Sequence, residues 1–442
     1  MSFSALHAGE QEGPSARTVG APRAVIAAVI GNLLEWFDFA VYGYFALVIG
    51  KLFFPSDDET TSLLLTVATF GAGFVMRPVG AVLFGSFADT HGRKAALSVT
   101  ILLMSLGTVM IGLAPTYATV GAWAPAWIVL ARLIQGFSAG GEVGSAMAFL
   151  VEHAPVERRG YFASWQQASV AAALLLGSLA AAAMTRILSS AELQAWGWRI
   201  PFLFGFMAGP AAWYIRSRTE EGDEFQSRPR NRATSPLQST FATHRTALLA
   251  GFGVTIVWTV CTYFFLLYMP TYAVRAFGLE PAAAMLATSV GLIVLMVLAP
   301  VFGALSDRIG RIGLLIGFAA AILIATYPAL WWLARAPATA TLVVVQVLFG
   351  ILIAGFAGPA PAAMAEIYPP QIRSTSISVA YNFAVTIFGG FAPFITTWLI
   401  ARSGSALAPA WYVMFAAALS LCILAATRHV HVAISPAEKV DD

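Results

Sequence analysis

The stretch Gly85-Ser-Phe-Ala-Asp89-Thr-His-Gly92-Arg93-Lys decides the fold, because this short charged turn separates two long apolar runs and has a copy later in the chain. The copy reads Gly303-Ala-Leu-Ser-Asp307-Arg-Ile-Gly310-Arg311, and the two aspartates are 218 positions apart. A second segment, Glu152-x-x-Pro-x-x-x-Arg159, returns 214 positions later as Glu366-x-x-Pro-x-x-x-Arg373. Two matched pairs at almost equal spacing indicate a duplicated chain with two similar halves.

The composition is that of a membrane protein. Hydrophobic residues make up 59% of the chain and charged residues 11%, with a mean hydropathy of +0.77, whereas soluble domains have roughly 45–50% and about 25%. The first 22 residues are polar and lack the apolar core of a cleaved signal, so we expect the first hydrophobic helix to be retained. Both cysteines, Cys261 and Cys422, lie within apolar runs, which favours a packing role over a disulfide or a metal site. No cofactor is predicted.

Apolar runs of about 20 residues can cross a bilayer, and they predict an all-α integral membrane protein with twelve transmembrane helices, numbered helix 1 to helix 12 in chain order. These cover residues 24–50, 61–87, 95–114, 123–151, 161–185, 198–215, 246–272, 282–305, 312–334, 340–365, 374–401 and 409–427. The predicted parts are an N-terminal tail (1–22), a six-helix half (23–215), a polar linker (216–245), a second six-helix half (246–427) and a C-terminal tail (428–442).

The distribution of lysine and arginine predicts the orientation, since cytoplasmic loops carry an excess of both. With the two tails and the linker on the cytoplasmic side, that side holds 17 of these residues and the opposite side holds six. Both termini are therefore predicted to be cytoplasmic. Because the basic residues flank membrane helices, the net charge of +3 does not indicate a nucleic-acid partner.

Five charged residues remain inside the predicted helices, and all five are in the first half: Glu35, Asp38, Arg77, Arg132 and Glu142. A charge at mid-bilayer costs about 2.5–3.5 kcal/mol even on the lenient insertion scale, so such residues face a cavity, pair with each other or take part in function. Two interpretations stay open: a structural ion pair that locks helices together, or a binding site for substrate and protons.

The acidic residues are candidates for carrying a proton. In helix 1, Asn32, Glu35, Asp38 and Tyr42 recur at three- and four-residue spacing and form one polar stripe. Burial favours the protonated form of a carboxyl group, and two carboxyls one turn apart disfavour ionisation of both. Glu35 and Asp38 are therefore predicted to take part in proton coupling, together with Glu142 in helix 4.

The two arginines are candidates for holding an anion. Arg132 should lie toward the outer half of helix 4 and Arg77 toward the inner half of helix 2, on either side of a central cavity. A guanidinium can bind a carboxylate through two hydrogen bonds, which suits a substrate with one or more carboxylates. Gln135 lies one turn after Arg132, and glycines from Gly136 to Gly141 would let a neighbouring backbone approach closely.

The second half offers neutral groups that could complete the site. The candidates are Trp258, Thr259, Thr262, Tyr263, Tyr268 and Tyr272 in helix 7, and Tyr381, Asn382 and Thr386 in helix 11. Aromatic residues at helical spacing are more often packing or interface residues. Tyr263 and Asn382 are the best of these candidates, because ligand pockets use few polar groups.

The twelve helices in two halves, with G-x-x-x-D-x-x-G-R-K after helix 2 and its copy after helix 8, resemble the major facilitator superfamily. Further motifs resemble its metabolite:proton symporter family: Gly31-Asn32-x-x-Glu35-Trp-Phe-Asp38-Phe, Arg77-Pro-x-Gly80, Arg132-x-x-Gln135-Gly-Phe-Ser-x-Gly-Gly-Glu142, Trp196-Gly-Trp-Arg-Ile-Pro-Phe202 and Phe388-Gly-Gly-x-x-Pro393. The resemblance implies the fold, a location in the cell inner membrane, and uptake of citrate, α-ketoglutarate, shikimate, proline or betaine with protons.

Departures from the family pattern narrow the range of possible substrates. Osmosensory proline/betaine members often carry a long helical C-terminal extension, whereas this chain ends about 15 residues after helix 12. The segment Ser164-Trp-Gln166-Gln-Ala-Ser169 and the arginine at position 132 look more like the citrate and other carboxylate carriers, which adds Gln166 to the predicted substrate contacts. The Gly-Pro motif typical of drug antiporters is absent from 161–185, which disfavours efflux.

The repeated loops are predicted to act as a conformational switch. The resemblance implies that the acidic and basic loop residues contact neighbouring helix ends and hold the outward-open state. Helix ends carry unsatisfied backbone groups and partial charges that such residues can bind, and alternating access needs contacts that can break. The predicted switch residues are Gly85, Asp89, Gly92, Arg93, Glu152, Arg159, Asp307, Gly310, Arg311, Glu366 and Arg373.

We therefore predict a secondary active transporter, a monomer in the lipid bilayer, that imports a di- or tricarboxylate such as citrate or α-ketoglutarate with protons by alternating access. An enzyme is not expected, since the helices carry no nucleophile–base pair or set of metal ligands. One alternative is a proton-coupled importer of a zwitterionic osmolyte such as proline or betaine, held by one arginine and one acid. Another is a non-transporting receptor or scaffold, for which a large soluble extension would be expected.

Overall fold

The computed structural model describes residues 21–91, 93–205, 240–241, 244–370 and 372–432. Within these ranges every regular element is a helix, and the helices pack into one bundle. Inside a bilayer the backbone has no water with which to form hydrogen bonds, and a helix satisfies its backbone groups internally. The prediction of an all-α fold is confirmed.

The first half contains helices 1 to 6, several of them in two pieces. Helix 1 consists of Ala21–Tyr44 and Ala46–Phe53, helix 2 of Glu59–Val75 and Arg77–His91, helix 3 of Arg93–Gly112, helix 4 of Trp123–Ala139 and Val143–Glu152, and helix 5 of Arg159–Ile187, while helix 6 includes the helical residues 199–205. Short helical turns between them are Tyr117–Val120, Val156–Arg158, Ser190–Glu192 and Leu193–Gly197.

The second half contains helices 7 to 12, two of them with a π-helical middle. Helix 7 consists of Arg245–Cys261, the π-segment Thr262–Tyr268 and Met269–Phe277; helix 8 is Pro281–Ile309, helix 9 Arg311–Arg335, and helix 10 Thr339–Ala357 with Ala360–Glu366. Helix 11 consists of Arg373–Ala384, the π-segment Val385–Gly390 and Ala392–Ser403; helix 12 is Ala408–Ala426, and Arg428–Val432 follows it.

Eight helices of the described chain are long and apolar enough to cross a membrane, and Glu35–Tyr44 with Ala46–Phe53, bent by 69°, can form a ninth span. The other three predicted spans have shorter or interrupted counterparts. Helix 3 offers the apolar stretch Ser98–Gly112, helix 4 is broken before Val143, and helix 6 is described as far as residue 205. Each of the twelve predicted spans therefore has a helical counterpart.

Helices 2 and 4 approach each other through a glycine. A Cβ atom added to Gly136 would lie 1.5 Å from the backbone oxygen of Gly73, far inside van der Waals contact. Since even an alanine methyl group would collide with the opposite backbone, this crossing needs a residue without a side chain. The close backbone approach predicted here is confirmed, and it holds together the two helices that carry Arg77 and Arg132.

The two halves pack against each other along helices 5 and 8. Ser178 of helix 5 donates a hydrogen bond to the backbone oxygen of Met285 at 2.8 Å and accepts one from Ser289 at 3.2 Å, both in helix 8. These hydrogen bonds join the first half of the chain to the second.

Candidate functional site

The polar stripe of helix 1 faces the interior of the bundle. Asn32, Glu35, Asp38 and Tyr42 are all buried, with 6% or less of each residue exposed. Asn32 donates to the hydroxyl of Ser169 in helix 5 at 2.7 Å, and Tyr42 donates to a backbone oxygen of helix 2 at 3.2 Å. The predicted three- and four-residue spacing therefore gives one continuous buried face.

Arg132 lies next to this stripe and is completely buried. Its Nη1 atom donates to Oε1 of Gln135 at 2.9 Å. Its Nε and Nη2 atoms have no acceptor in the described part of the chain. Aromatic rings surround the guanidinium instead, with the ring centres of Tyr42, Phe39 and Phe70 at 4.2, 4.9 and 4.9 Å from its central carbon.

Arg77, at the start of the second piece of helix 2, is also completely buried. None of its three guanidinium nitrogens has an acceptor among the described residues. Its central carbon lies 4.3 Å from the ring centre of Phe74, 4.8 Å from that of Phe39 and 5.8 Å from that of Trp36. Phe39 therefore contacts both guanidiniums, and cation–π attraction offsets part of the cost of burying them.

Five nitrogen atoms of these two arginines thus point at no acceptor in the part of the protein that the structure describes. Burying an uncompensated cation costs several kcal/mol, and aromatic faces offer no hydrogen-bond acceptor of carboxylate strength. Such a pair is chemically suited to receive an anion, because each guanidinium presents a fork of donors that matches a carboxylate.

Asp38 is connected to Arg132 through two neutral side chains. Its Oδ2 atom accepts a hydrogen bond from the hydroxyl of Thr108 in helix 3. The Thr108 hydroxyl oxygen accepts from Nε2 of Gln135 at 3.0 Å, and Gln135 in turn accepts from Arg132. Gln135, predicted as a substrate contact, therefore uses both of its polar atoms within the protein.

Sequence reasoning did not identify Thr108. It lies within an apolar run of helix 3, and a single threonine there gives no signal of function, because threonine hydroxyls in helices commonly bond the backbone one turn earlier. The Thr108 hydroxyl does lie 3.0 Å from the backbone oxygen of Met104. Its contact with Asp38, 70 positions away, becomes visible only when the helices are packed.

The second half closes the site with Tyr263 and Tyr381. The Tyr263 ring centre lies 5.3 Å from that of Phe74 and 5.9 Å from that of Trp36. Both tyrosines are close enough to Arg77 and Glu35 to interact with them electrostatically. The structure thus brings Glu35, Arg77 and these two predicted contacts together. The Tyr263 hydroxyl has no partner in the described chain.

Two amide side chains predicted to contact the substrate, Asn382 and Gln166, each use one polar atom in a hydrogen bond within the protein. Asn382 donates to the backbone oxygen of Gly140 in helix 4 at 2.9 Å, across the two halves. Oε1 of Gln166 accepts from Gln167 at 2.5 Å, and Gln167 accepts from the indole of Trp258 in helix 7 at 2.9 Å. The remaining atoms, Oδ1 of Asn382 and Nε2 of Gln166, have no partner among the residues described.

Glu142 has a different environment from the two acids of helix 1. It lies at the break in helix 4, just before Val143, and is half-buried. Its Oε1 atom accepts from the hydroxyl of Thr100 in helix 3 at 3.2 Å. The structure therefore places this third proton-coupling candidate at a helix interruption rather than on the buried stripe.

Three of the four motif copies, those that begin at Glu152, Gly303 and Glu366, meet at one end of the bundle, called the motif end below. Asp307 accepts from the backbone N–H groups of Gly160 and Tyr161 at 2.7 and 3.0 Å, which caps the start of helix 5. Arg311 donates to both carboxylate oxygens of Glu366 at 2.5 and 2.6 Å and to Asp307 at 3.0 Å. These charges thus form one network that includes a contact between the halves.

Four other switch residues have defined positions there. Nη1 of Arg373 lies 3.3 Å from Oε1 of Glu152, across the two halves. Arg159 begins helix 5 and is half-buried. Gly310 has a φ of +89° between helices 8 and 9, a backbone conformation that favours glycine. The side chains of Asp89 and Arg93 and the whole of Gly92 lie outside the described residues, whereas Gly85 lies in the second piece of helix 2.

The halves also touch at the opposite end of the bundle. Glu59 of helix 2 and Arg275 of helix 7 form an ion pair there. Nearer the middle, the Tyr44 hydroxyl donates to the backbone oxygen of Leu266 at 2.7 Å. Contacts therefore join the halves at both ends, and the two arginines and the stripe are buried between these contacts.

Similar proteins are membrane carriers. The sequence profile of the sugar (and other) transporter family matches residues 24–217 and 215–430. The chain is 36% identical to a citrate-proton symporter of Salmonella typhi over 96% of this chain and 97% of that protein. It is 35% identical to the alpha-ketoglutarate permease of Escherichia coli, covering 90% and 92%, and 32% identical to a proline/betaine transporter of Salmonella typhimurium, covering 90% and 82%.

A solved structure has the same fold. The xylose transporter XylE from E. coli, in a partially occluded inward-open conformation, superposes with a TM-score of 0.73 over 92% of this chain and 97% of that one. The two sequences are 16% identical, so this likeness concerns the fold alone. The family match covers nearly all of the described helices. The chain belongs to the sugar (and other) transporter family of the major facilitator superfamily, and it is a multi-pass membrane transporter, not an enzyme.

Proposed function

We propose that this transporter imports a small organic anion, a di- or tricarboxylate such as citrate or α-ketoglutarate, in symport with protons. The observation that carries the proposal is the pair of completely buried arginines whose five free guanidinium nitrogens have no acceptor in the described chain. A substrate with two carboxylates can satisfy both forks at once, whereas a neutral sugar offers no charge to balance them.

The aromatic surroundings argue against the zwitterionic alternative. A quaternary ammonium group such as that of betaine is held by aromatic faces. Here the faces of Phe39, Phe74 and Tyr42 lie within 5 Å of the protein's own guanidiniums. A second cation would share those rings with two positive charges, and the repulsion disfavours it. A relative that carries proline and betaine is nevertheless similar over most of the chain, so both classes belong in the test.

Proton coupling is assigned to the acids of helix 1. Asp38 and Glu35 are buried beside the arginines, and they can accept a proton where the membrane and the substrate exclude water. Protonation of both acids would leave the two guanidinium charges unbalanced, which favours anion binding. The name of one similar protein, a citrate-proton symporter, supports coupling to protons in general.

Transport itself requires the contacts at the two ends to open in turn. At the motif end the proposed gate consists of the Asp307–Arg311–Glu366 network and the Glu152–Arg373 pair. At the opposite end it includes the Glu59–Arg275 pair. We further propose a monomer in the cell inner membrane, with the motif end and both termini on the cytoplasmic side, because lysine and arginine concentrate there.

Uptake into proteoliposomes with an imposed inward proton gradient tests the proposal. Labelled citrate, α-ketoglutarate, shikimate, a monocarboxylate and betaine are offered one at a time. We expect accumulation of a di- or tricarboxylate that stops when a protonophore collapses the gradient. Accumulation of betaine alone would contradict the anion assignment, and acid uptake that ignores the gradient would contradict the coupling.

A matched pair of variants connects the result to the site. Arg132→Gln removes one fork and should abolish acid uptake while the protein remains folded in detergent. Arg402→Gln removes an exposed arginine at the end of helix 11 and should transport like wild type. Near-normal uptake by Arg132→Gln would remove this arginine from the binding site.

A further inference from the structure

We propose that Thr108 and Gln135 form a relay through which the protonation state of Asp38 controls how firmly the protein holds Arg132. Thr108 is then a positioning residue for proton coupling, and Gln135 acts on Arg132 rather than on the substrate. This inference rests on the proposed symport of an organic acid. It assigns a role to a residue of helix 3 that carries no charge.

The relay is continuous in the structure. Arg132 donates to Gln135 at 2.9 Å, Gln135 donates to the Thr108 hydroxyl oxygen at 3.0 Å, and Thr108 donates to Oδ2 of Asp38. All four residues are buried, with 4% or less exposed. Water is therefore excluded as a competing partner, and hydrogen bonds in such a chain strengthen one another.

A threonine hydroxyl can serve both protonation states because it has one donor and two acceptor positions. When Asp38 is ionised, the hydroxyl donates to it, and its oxygen keeps its lone pairs for Gln135. When Asp38 carries a proton, the acid can donate to Thr108 instead, and the hydroxyl turns to the backbone oxygen of Met104 at 3.0 Å. The oxygen then accepts two bonds instead of one, which weakens the bond from Gln135.

The weaker bond between Gln135 and Thr108 also affects the guanidinium of Arg132. A weaker bond at the amide nitrogen lets Gln135 rotate, and its Oε1 atom then holds Nη1 of Arg132 less firmly. With Nε and Nη2 already without acceptors in the described chain, a third donor of Arg132 becomes available to a substrate carboxylate. Protonation of Asp38 thus favours substrate binding, and this order of events is what symport requires.

Groups other than Thr108 also act on Asp38, so part of the behaviour of this carboxyl group does not depend on the relay. Gly205 of helix 6 packs closely against the other carboxylate oxygen of Asp38. A Cβ atom added to this glycine would lie 2.2 Å from Oδ1. Arg132 is close enough to act on Asp38 directly by charge. The titratable groups of the described chain that act on Arg132 by charge, besides Asp38, are Tyr42 of helix 1, Arg77 of helix 2 and Tyr263 of helix 7. Glu35 precedes Asp38 by one turn on helix 1. Removing the Thr108 hydroxyl leaves all of these charges in place.

The test compares Thr108→Val, which removes the hydroxyl at nearly constant shape, with Thr108→Ser, which keeps it. Two rates are measured in proteoliposomes across pH, with citrate, or with α-ketoglutarate if wild type accumulates that acid instead. One is accumulation driven by a proton gradient. The other is exchange of labelled for unlabelled acid at equal concentrations, which needs no net proton movement.

We expect Thr108→Val to lose about tenfold in gradient-driven accumulation, a size typical of coupling between two sites. Its exchange rate should stay close to wild type and lose its dependence on pH, while Thr108→Ser should behave like wild type. Wild-type accumulation and an unchanged pH profile in Thr108→Val would overturn the relay. So would an equal loss of exchange and accumulation with the pH profile intact, because that pattern indicates a purely structural role.

A second variant covers the case in which Thr108→Val does not fold. Thr108→Ala removes the same hydroxyl and is smaller than threonine, so it breaks the relay without overfilling the site and without adding a charge beside Arg132. The same separation of exchange from accumulation is expected, and coupled accumulation at the wild-type level would contradict it. If wild type accumulates no acid at all, the proposed function fails first, which distinguishes that failure from failure of the relay.

Discussion

Glu152 and Arg373 form an ion pair that joins the two halves of a duplicated chain, with 3.3 Å between Oε1 and Nη1. Glu152 comes from the first copy of the loop motif and Arg373 from the second. Both are largely buried, with 20% and 9% of their side chains exposed. Since neither helix end can separate without breaking this pair, it stabilises closure of the motif end.

The first prediction concerns this pair. Glu152→Gln removes the charge but keeps the size, so we expect the motif end to open more often, by a factor of about five if the pair contributes about 1 kcal/mol. Opening is measured as the rate at which a maleimide labels Ser378→Cys, a buried site next to Gly144 at the contact between the halves. The background carries Cys261→Ala and Cys422→Ala. Glu157→Gln, an exposed residue of the same loop, is the control, and equal labelling in both variants would argue against a gate.

The second prediction uses the three guanidinium nitrogens of Arg77, which have no hydrogen-bond acceptor in the described chain. Replacing this buried cation by an apolar residue of similar length removes a desolvation cost, so Arg77→Met should stabilise the substrate-free protein by about 1–4 kcal/mol. The same change should abolish acid uptake, because the fork is lost. Thermal unfolding in detergent and uptake are both measured, with Arg402→Met as the exposed control. A lower Tm in Arg77→Met would show that the guanidinium is held by the protein rather than kept free for a substrate.

The third prediction tests the crossing of helices 2 and 4. Gly136→Ala places a methyl group against the Gly73 backbone, so the helices must separate and the two arginines must shift. Overpacking of this kind costs about 1–3 kcal/mol or more, and we expect a lower Tm together with a loss of uptake. Gly317→Ala in helix 9 is the matched control, since its methyl group would meet no atom within 4 Å. There alanine should raise helix stability by up to about 1 kcal/mol, so equal effects in both variants would contradict the argument.

Much of this architecture is readable from the sequence because lipid imposes a simple rule on it. A charge inside an apolar run is costly and therefore conspicuous, which is why Asp38, Arg77 and Arg132 could be identified from the order of the residues alone. The duplicated loops indicated the two halves because both copies of the motif can be recognised in the sequence itself. Spacing of 218 positions between the two copies needs no knowledge of packing.

The rest depends on how helices rotate and touch, and the sequence carries no local sign of it. Phe39 and Phe74 read as ordinary packing residues, yet their rings contact the guanidiniums. Thr108 reads as a backbone-bonding threonine, yet it links Asp38 to Gln135. The π-helical turn Thr262–Tyr268 in helix 7 contains no proline or glycine from which it could be predicted. Each of these features is set by a neighbour that lies far away in the chain.

The last prediction distinguishes the two acids of helix 1. Asp38→Asn keeps an oxygen that accepts from Thr108 but cannot take up or release a proton, so the state of the relay becomes fixed. Gradient-driven accumulation should be lost, whereas exchange of substrate should continue and become independent of pH. Glu35→Gln is the matched variant: Glu35 lies on the Arg77 side of the site, so its loss should weaken binding of the acid more than coupling.

Measuring the pH dependence of both rates in both variants decides between the acids. If Asp38→Asn still accumulates acid with an unchanged pH profile, Asp38 does not carry the coupled proton. If Glu35→Gln instead shows pH-independent exchange without accumulation, the proton is carried next to Arg77. In that case the Thr108 relay only positions Arg132. The four rates therefore assign the proton to one acid or the other, because only the acid that titrates during transport can make exchange depend on pH.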